Sequence, residues 1–140
     1  MSDFKPSDCT FCSLPVERIL EANAQALAIA DGFPVTKGHT LIIPRRHVVS
    51  FFELTEEETI AVYQLLCRMK NRLEATLKPA GYNVGVNVGT VAGQTVEHVH
   101  VHLIPRYTGD VADPIGGVRN VIPGKGRYPG TDSSTGMILG

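Results

Sequence analysis

The stretch that decides the fold is His98-Val99-His100-Val101-His102. Successive side chains on a β-strand point to opposite faces, so the alternation places the three histidines on one face and the two valines on the other. We therefore predict a strand over residues 97–104 with one packed face and one chemically active face. Neighbouring histidines would lie about 7 Å apart along it, and the outer pair about 13 Å apart. That span is too long for three imidazoles to close one tetrahedral metal shell, whereas two adjacent histidines can still share an ion.

The segment before this strand has the composition of an anion-binding loop. Residues 87–95 read Asn-Val-Gly-Thr-Val-Ala-Gly-Gln-Thr. Glycine lets the backbone approach a ligand closely, and Asn87, Gln94 and Thr95 offer side-chain hydrogen bonds beside it. Next to three histidines, this loop favours a phosphate-binding site over a simple turn.

Hydrophobic patterns in the rest of the chain predict an α+β fold. Thr55 followed three residues later by Glu58 is a capping box, and apolar residues continue at helical spacing up to Pro79. The same patterns predict short strands over residues 18–21, 26–30, 40–43, 82–88 and 97–104. These elements form an antiparallel sheet with the long helix across one face. Cys67 lies on that helix between apolar neighbours and is expected to be a core thiol.

The composition fits one small domain with a core of its own. The chain has 140 residues, of which 43% are apolar and 19% charged, and its formal net charge of −1 gives no global attraction to nucleic acid or to an anionic membrane. It has no apolar run long enough to span a bilayer, and its N-terminus lacks the apolar stretch of a signal peptide. We therefore expect a cytoplasmic protein.

The last quarter of the chain differs in composition. Residues 107–140 contain eight glycines and three prolines with little periodicity. We predict a single domain over residues 1–129, in which residues 107–129 form an extended arm, followed by a loose tail over residues 130–140. Arg119 in the arm either reaches a substrate phosphate or is simply solvated.

Cys9 and Cys12 form a Cys-x-x-Cys pair near the N-terminus. A βαβ pattern does not follow the pair, so a zinc site is favoured over a thioredoxin-like dithiol. Two thiolates need two more ligands to complete a tetrahedral zinc shell. The alternative is a surface cysteine pair that binds no metal.

Two blocks of the sequence resemble the histidine triad (HIT) superfamily of nucleotide hydrolases and transferases. They are Ala-Gly-Gln-Thr-Val-Glu-His-Val-His-Val-His-Leu-Ile-Pro-Arg at 92–106 and Asp-Gly-Phe-Pro-Val-Thr-Lys-Gly-His-Thr-Leu-Ile-Ile-Pro at 31–44. The resemblance covers residues 9–106 and implies a five-stranded sheet and a homodimer. The run at 92–96 and the Pro-Arg after the triad look more like the dinucleoside polyphosphate hydrolase branch than the phosphoramidase branch.

The resemblance also implies roles for individual residues. His100 corresponds to the catalytic nucleophile, and His102 would hydrogen-bond the phosphate or the departing oxygen. Asn87 matches a phosphate-contacting position, and Asp31 matches the position that accepts the ribose hydroxyls. The resemblance completes the zinc shell as Cys9, Cys12, His47 and His98, which is closed and therefore structural. His39 is expected to be structural, with its ring hydrogen-bonded to the backbone.

These assignments predict substitution at the α-phosphorus of a nucleotide substrate such as a diadenosine polyphosphate, through a nucleotidyl-His100 intermediate. Gln94 and Thr95 would stabilise the charge on the phosphate oxygens. Three apolar residues are candidates for the walls of a purine slot, although each can equally belong to the core: Ile29, Phe33 and Leu41. Two alternatives remain open, which are a nucleotide-binding sensor with slow turnover and a metal-dependent hydrolase that uses paired triad histidines.

Overall fold

A computed structural model describes residues 5–130 of the chain, in two units that meet in sequence between Arg106 and Tyr107. Residues 1–4 and 131–140, and with them most of the predicted tail, lie outside the described residues. The strands and the helix are β1 (Ile19–Ala22), β2 (Ala26–Ala30), β3 (Thr40–Pro44), α1 (Glu56–Thr76), β4 (Gly81–Val86) and β5 (Val101–Arg106). Short 3-10 turns cover Thr10–Cys12, Val16–Arg18, Phe51–Glu53, Thr90–Ala92 and Gly117–Val121.

The first unit is an antiparallel five-stranded sheet with the strand order β1-β2-β3-β5-β4. The helix α1 packs across one face of the sheet, where Leu65 and Met69 meet Val101 and Leu103 in the main core cluster. The predicted α+β class and five-stranded sheet are therefore confirmed.

Local sequence signals account for the start of the sheet and of the helix. The Asn23 side chain accepts hydrogen bonds from the Gln25 and Ala26 N–H groups at 3.0 and 2.8 Å, which closes the β1–β2 hairpin. The predicted capping box is present, because Thr55 accepts from the Glu58 N–H and the Glu58 carboxylate accepts from the Thr55 N–H.

The histidine strand begins later than the sequence predicts. The expected strand over residues 97–104 is wrong at its start, because β5 runs from Val101 to Arg106 and pairs with β3 only through Val101, His102 and Leu103. Before that point the Val99 N–H bonds to the Val48 carbonyl at 2.8 Å. His98 and His100 therefore precede the strand, and their rings are not held to a common strand face.

Two further expectations can be compared with the structure. Cys67 was expected in the core but is exposed, because it lies on the side of α1 turned away from the main cluster. Within residues 5–130, every helix is too short or too polar to cross a membrane.

The second unit, described from Tyr107 to Gly130, is held together by its own polar contacts. Asp113 binds the Arg127 guanidinium through two hydrogen bonds of 3.1 Å. Arg119 donates to the Lys125 and Gly126 carbonyls, and its guanidinium carbon lies 4.0 Å from the centre of the Tyr128 ring. Of the two alternatives left open for Arg119, neither describes these contacts, which hold its side chain within its own unit.

Candidate functional site

Four side chains from three segments that are far apart in sequence bring their donor atoms together. The Sγ atoms of Cys9 and Cys12 each lie 3.5 Å from His98 Nδ1, and Cys12 Sγ lies 3.2 Å from His47 Nδ1. All four donor atoms fall within 4.8 Å of one another. A tetrahedral zinc shell with bonds of about 2.0–2.3 Å has edges of about 3.3–3.8 Å, so the donor set and its spacing fit zinc.

The orientation of the His98 ring also fits a metal ligand. His98 is fully buried, and its Nε2–H donates to the Pro44 carbonyl at 2.8 Å, which directs the Nδ1 lone pair toward the two sulfurs. A second hydrogen bond of this kind is the usual support of a metal-binding imidazole. Burial lowers the pKa of His98 and thereby favours the neutral ring that binds metal. Burial, followed by the contact with Cys9, raises the pKa of the Cys12 thiol to about 11, so a bound cation would be needed to hold it as thiolate.

The position of His47 is fixed by a neighbouring ion pair. Arg46 donates to both oxygens of the buried Glu58 carboxylate, at 2.8 and 2.9 Å, and to the Glu53 carbonyl. This pair ties the segment after β3 to the first turn of α1. The contact with Arg46 is the main reason that the pKa of Glu58 is lowered.

The second triad histidine, His100, uses one ring nitrogen for a backbone contact. His100 Nδ1 lies 2.9 Å from the His98 carbonyl, to which it can only donate. The neutral His100 ring therefore carries its proton on Nδ1 and keeps the Nε2 lone pair for a ligand. The Phe11 ring packs edge-on against His100, with 5.2 Å between ring centroids.

The third triad histidine is held by a residue that the sequence analysis assigned to structure alone. The Val35 N–H donates to His39 Nδ1 at 3.1 Å, which confirms the predicted backbone contact. His39 Nε2 must then carry the proton, and it lies 2.9 Å from His102 Nδ1 and 3.4 Å from Asp31 Oδ2. His102 accepts on Nδ1, so its own proton is on Nε2.

Burial keeps this pair of histidines neutral. It is the main reason that the pKa values of His39 and His102 are both lowered, with Asp31 opposing the shift in each case. Both rings are consequently uncharged at pH 7, and the tautomers inferred from their partners are the forms present.

His100 and His102 open onto a cavity of about 520 Å³. Its lining includes five more of the predicted contact residues and six residues that the sequence analysis did not select. The predicted five are Asp31, Phe33, Leu41, Asn87 and Thr95; the others are Thr10, Phe11, Arg18, Gly32, Gly93 and Val96. Phe11 lies between Cys9 and Cys12 in the sequence, and that position is the signal that could have placed it near the candidate metal group.

The cavity combines apolar and polar lining residues. Asp31, whose Oδ1 accepts the Phe33 N–H at 2.8 Å, has a carboxylate oxygen within 4.8 Å of a ring nitrogen of His102, and the Phe33 ring is 92% exposed. Gly93 also lines the cavity and adopts a left-handed conformation (φ 100°) that glycine reaches without strain. The cavity therefore offers a ligand apolar contacts, a carboxylate acceptor and imidazole rings.

Two predicted contact residues lie elsewhere. Ile29 is fully buried in the core cluster with Leu41 and Ile43, so of its two predicted locations the structure favours the core. The Gln94 amide donates to the Val49 and Val96 carbonyls at 2.8 and 3.1 Å and accepts the Gly89 N–H at 2.9 Å. Both of its N–H bonds are thus engaged by carbonyls, which does not favour the expectation that Gln94 donates to a phosphate.

Comparisons with known proteins agree with this site. The family model of the HIT domain matches residues 16–109. An uncharacterised HIT-like protein of Mycoplasma genitalium is 41% identical over 105 residues, covering 72% of this chain and 74% of that protein. An adenosine 5′-monophosphoramidase of Schizosaccharomyces pombe is 35% identical over 103 residues, covering 70% of this chain and 74% of that enzyme.

A solved structure gives the same result for the fold. The crystal structure of a zinc-bound histidine triad family protein from Mycobacterium smegmatis has a TM-score of 0.67 at 34% identity, covering 76% of this chain and 80% of that one. The fold and the family matches thus place the chain in the HIT superfamily of nucleotide-binding proteins and hydrolases. The chain belongs to the HIT family.

Proposed function

We propose that the protein is a nucleotide hydrolase that cleaves its substrate at the α-phosphorus through a nucleotidyl-His100 intermediate. The observation that carries the proposal is the placement of His100, whose Nδ1–H is held by the His98 carbonyl, so that Nε2 keeps the lone pair, and which lines the same cavity as Asp31. A neutral imidazole with its lone pair directed at a bound phosphate is an activated nucleophile.

The reaction has two substitution steps. In the first, His100 Nε2 bonds to the α-phosphorus as the bond to the leaving group breaks, and that bond's electron pair departs with the leaving group. In the second, water attacks the phosphorus, the P–N bond breaks, and a nucleoside monophosphate is released as one water proton passes to solvent. Asn87, Thr95 and Gly93 line the cavity, and we expect their polar groups to stabilise the oxyanions.

His102 would assist the departure of the leaving group. Its inferred tautomer places a proton on Nε2, because His39 donates to Nδ1. That N–H can hydrogen-bond a departing oxygen or protonate a departing amine. Asp31 would accept the ribose hydroxyls with the capacity left on its carboxylate, and Phe33 and Leu41 would contact the base.

We propose dinucleoside polyphosphates as the substrate class. Their departing nucleoside polyphosphate is already a stable anion, so its departure requires little from a neutral His102. A second candidate is the cleavage of nucleoside phosphoramidates, which is favoured by the 35% identity to an adenosine 5′-monophosphoramidase. The two classes differ in whether the leaving group must receive a proton.

The metal shell would hold a structural zinc ion through Cys9, Cys12, His47 and His98, and the bound ion would supply a cross-link between the N-terminal turn and the segments around β3 and β5. Its four protein donors leave no position for substrate. Thiolate ligation also requires reduced cysteines, which agrees with the cytoplasmic setting expected from the sequence.

A homodimer would form by pairing of β4 with its counterpart in a second copy. The other edge strand, β1, carries Glu21, which contacts Arg68 and Arg72, whereas β4 has no charged residue. Val84 on β4 is 49% exposed beside an apolar groove that includes Tyr63 of α1. Uncharged strand edges of this kind pair readily with another chain.

The direct test is covalent trapping. Substrate labelled on the α-phosphate should leave label on wild-type protein after acid-free quenching, and peptide mapping should assign it to His100. His100→Ala should lose the label and turnover while still binding AMP, because the loss falls on the chemical step. A His100→Ala protein with near-normal kcat, or label on another residue, would contradict the proposal.

Chelation separates this mechanism from metal-dependent hydrolysis. A metallohydrolase should lose turnover as soon as its zinc is removed, whereas loss of a structural zinc should lower thermal stability first. A nucleotide sensor with slow turnover would instead bind AMP tightly. Covalent labelling of the protein by substrate would then be far slower than dissociation of the substrate.

A further inference from the structure

Two residues, His98 and Phe11, link the four-residue metal shell to the nucleotide cavity, and each of them contacts His100. The first is His98, whose ring contributes Nδ1 to the metal shell and whose backbone carbonyl accepts the His100 Nδ1–H at 2.9 Å. The second is Phe11, which lies in the turn between Cys9 and Cys12.

Phe11 occupies the space between the shell and the cavity. Its ring centroid lies 6.0 Å from that of His98 and 5.2 Å from that of His100, with edge-on geometry to both. It also packs on the core cluster that contains Ile29 and Leu41, and it lines the cavity together with Thr10. Cys9 and Cys12 thus bracket one wall of the cavity.

The backbone of the turn makes only local hydrogen bonds. Within the described residues, they run from the Cys12 N–H to the Cys9 carbonyl and from the Cys9 N–H to the Pro6 carbonyl. A 3-10 turn of three residues has poorer hydrogen-bond geometry than an α-helix. Without a cross-link between the two cysteines and the two histidines, the turn would be held to the sheet by the packing of Phe11 and Leu14 on the apolar cluster.

We propose that zinc binding and nucleotide binding are thermodynamically coupled through Phe11 and His98. The inference rests on the proposed function, since it requires that the cavity binds a nucleotide. Zinc holds the wall and the nucleophile in the arrangement that the nucleotide contacts, so the zinc-loaded protein binds nucleotide more tightly. Coupling between two sites is reciprocal, and bound nucleotide must therefore strengthen zinc binding by the same factor.

The test measures zinc retention in the loaded wild-type protein. A chromogenic chelator withdraws zinc with and without saturating AMP, which has no leaving group and is not consumed. We expect AMP to raise zinc affinity by at least about fivefold, the lower range of measured couplings. Equal zinc affinity with and without AMP would overturn the inference.

A pair of variants distinguishes the local connection from general stabilisation by a ligand. Phe11→Leu alters the wall formed by the turn that carries Cys9 and Cys12, whereas Phe33→Leu alters the cavity beside Asp31, on a segment that holds none of the four proposed metal ligands. Each variant is measured at the same multiple of its own Kd for AMP. Protection of zinc should fall in Phe11→Leu and persist in Phe33→Leu; equal protection in both would overturn the assignment to Phe11.

Calorimetry with AMP keeps the two proposals apart. If zinc-loaded wild-type protein fails to bind AMP, the proposed function fails, and the coupling with it. If it binds AMP but its zinc affinity is unchanged, the inference alone fails. Circular dichroism during zinc withdrawal shows whether the sheet remains folded, and a folded apo protein permits the reciprocal measurement of AMP affinity without zinc.

Discussion

Replacing Gln94 by alanine should destabilise the protein by about 3 kcal/mol. The Gln94 amide makes three hydrogen bonds, to the Val49 carbonyl, the Val96 carbonyl and the Gly89 N–H, and its side chain is only 9% exposed. Each such bond contributes about 1 kcal/mol net, so the three together give the expected loss. AMP affinity should fall as well, because the loop that Gln94 closes carries Thr95 and Gly93.

The assay is urea unfolding of wild-type protein and two variants, with AMP binding measured in parallel. Val91 lies on the same loop and is fully exposed, so Val91→Ala is the matched control, with an expected change within about 0.5 kcal/mol. Our reasoning is refuted if Gln94→Ala keeps wild-type stability and still loses AMP binding. That result would return Gln94 to the direct phosphate contact expected from the sequence.

Four further outcomes are expected. Cys9→Ser should lower both zinc content and melting temperature, and persistence of one zinc per chain would place the ion elsewhere. Glu58→Gln should cost about 1.5–3 kcal/mol at pH 7 by weakening a charged hydrogen-bonded pair. Because the folded pKa of Glu58 is lowered from 4.5, that stabilisation is present above about pH 4.5 and lost as the pH falls through the folded value, so wild type and variant should converge in acid denaturation. Val84→Lys should shift the protein from dimer to monomer in light scattering, and an unchanged dimer would exclude the β4 edge. His39→Asn should slow phosphoramidate cleavage more than polyphosphate cleavage, and nitrogen NMR should show the His102 proton redistributed between its two nitrogens.

Much of the fold follows from local sequence signals. β2 was predicted with its observed bounds, and the capping box at Thr55 gave the start of α1, because both depend on residues within four positions. The start of β5 was not predictable in this way. It depends on the Val99 N–H reaching the Val48 carbonyl and on the His98 ring occupying the Pro44 carbonyl, contacts that span 51 and 54 residues.

The candidate site also has features that the sequence predicts and features that depend on long-range contacts. The residue types of the metal shell and of the cavity were predicted from motifs, and the structure brings Cys9, Cys12, His47 and His98 together as expected. The directions of polar groups were not predicted. The Gln94 amide bonds to the Val49 carbonyl, 45 residues away, and the His39 ring bonds to the His102 ring, 63 residues away. Contacts between residues so far apart cannot be predicted from neighbouring residues in the sequence.

The alternation in His-Val-His-Val-His has a different physical meaning in the folded chain from the one it suggests as a strand. The side chains do not act as a row on one face, because each ring is oriented by a different partner: the Pro44 carbonyl for His98, the His98 carbonyl for His100, and His39 for His102. The ring of His98 is oriented by the Pro44 carbonyl of β3, and the His98 carbonyl in turn orients the ring of His100. A displacement of His98 should therefore also displace the His100 ring. The ring of the proposed nucleophile, His100, is therefore oriented by His98, whereas the ring of His102 is oriented separately by His39. In the proposed mechanism His100 takes part in both substitution steps, whereas His102 assists only the departure of the leaving group, so perturbing the support of His102 should slow the first step and leave hydrolysis of the intermediate unchanged.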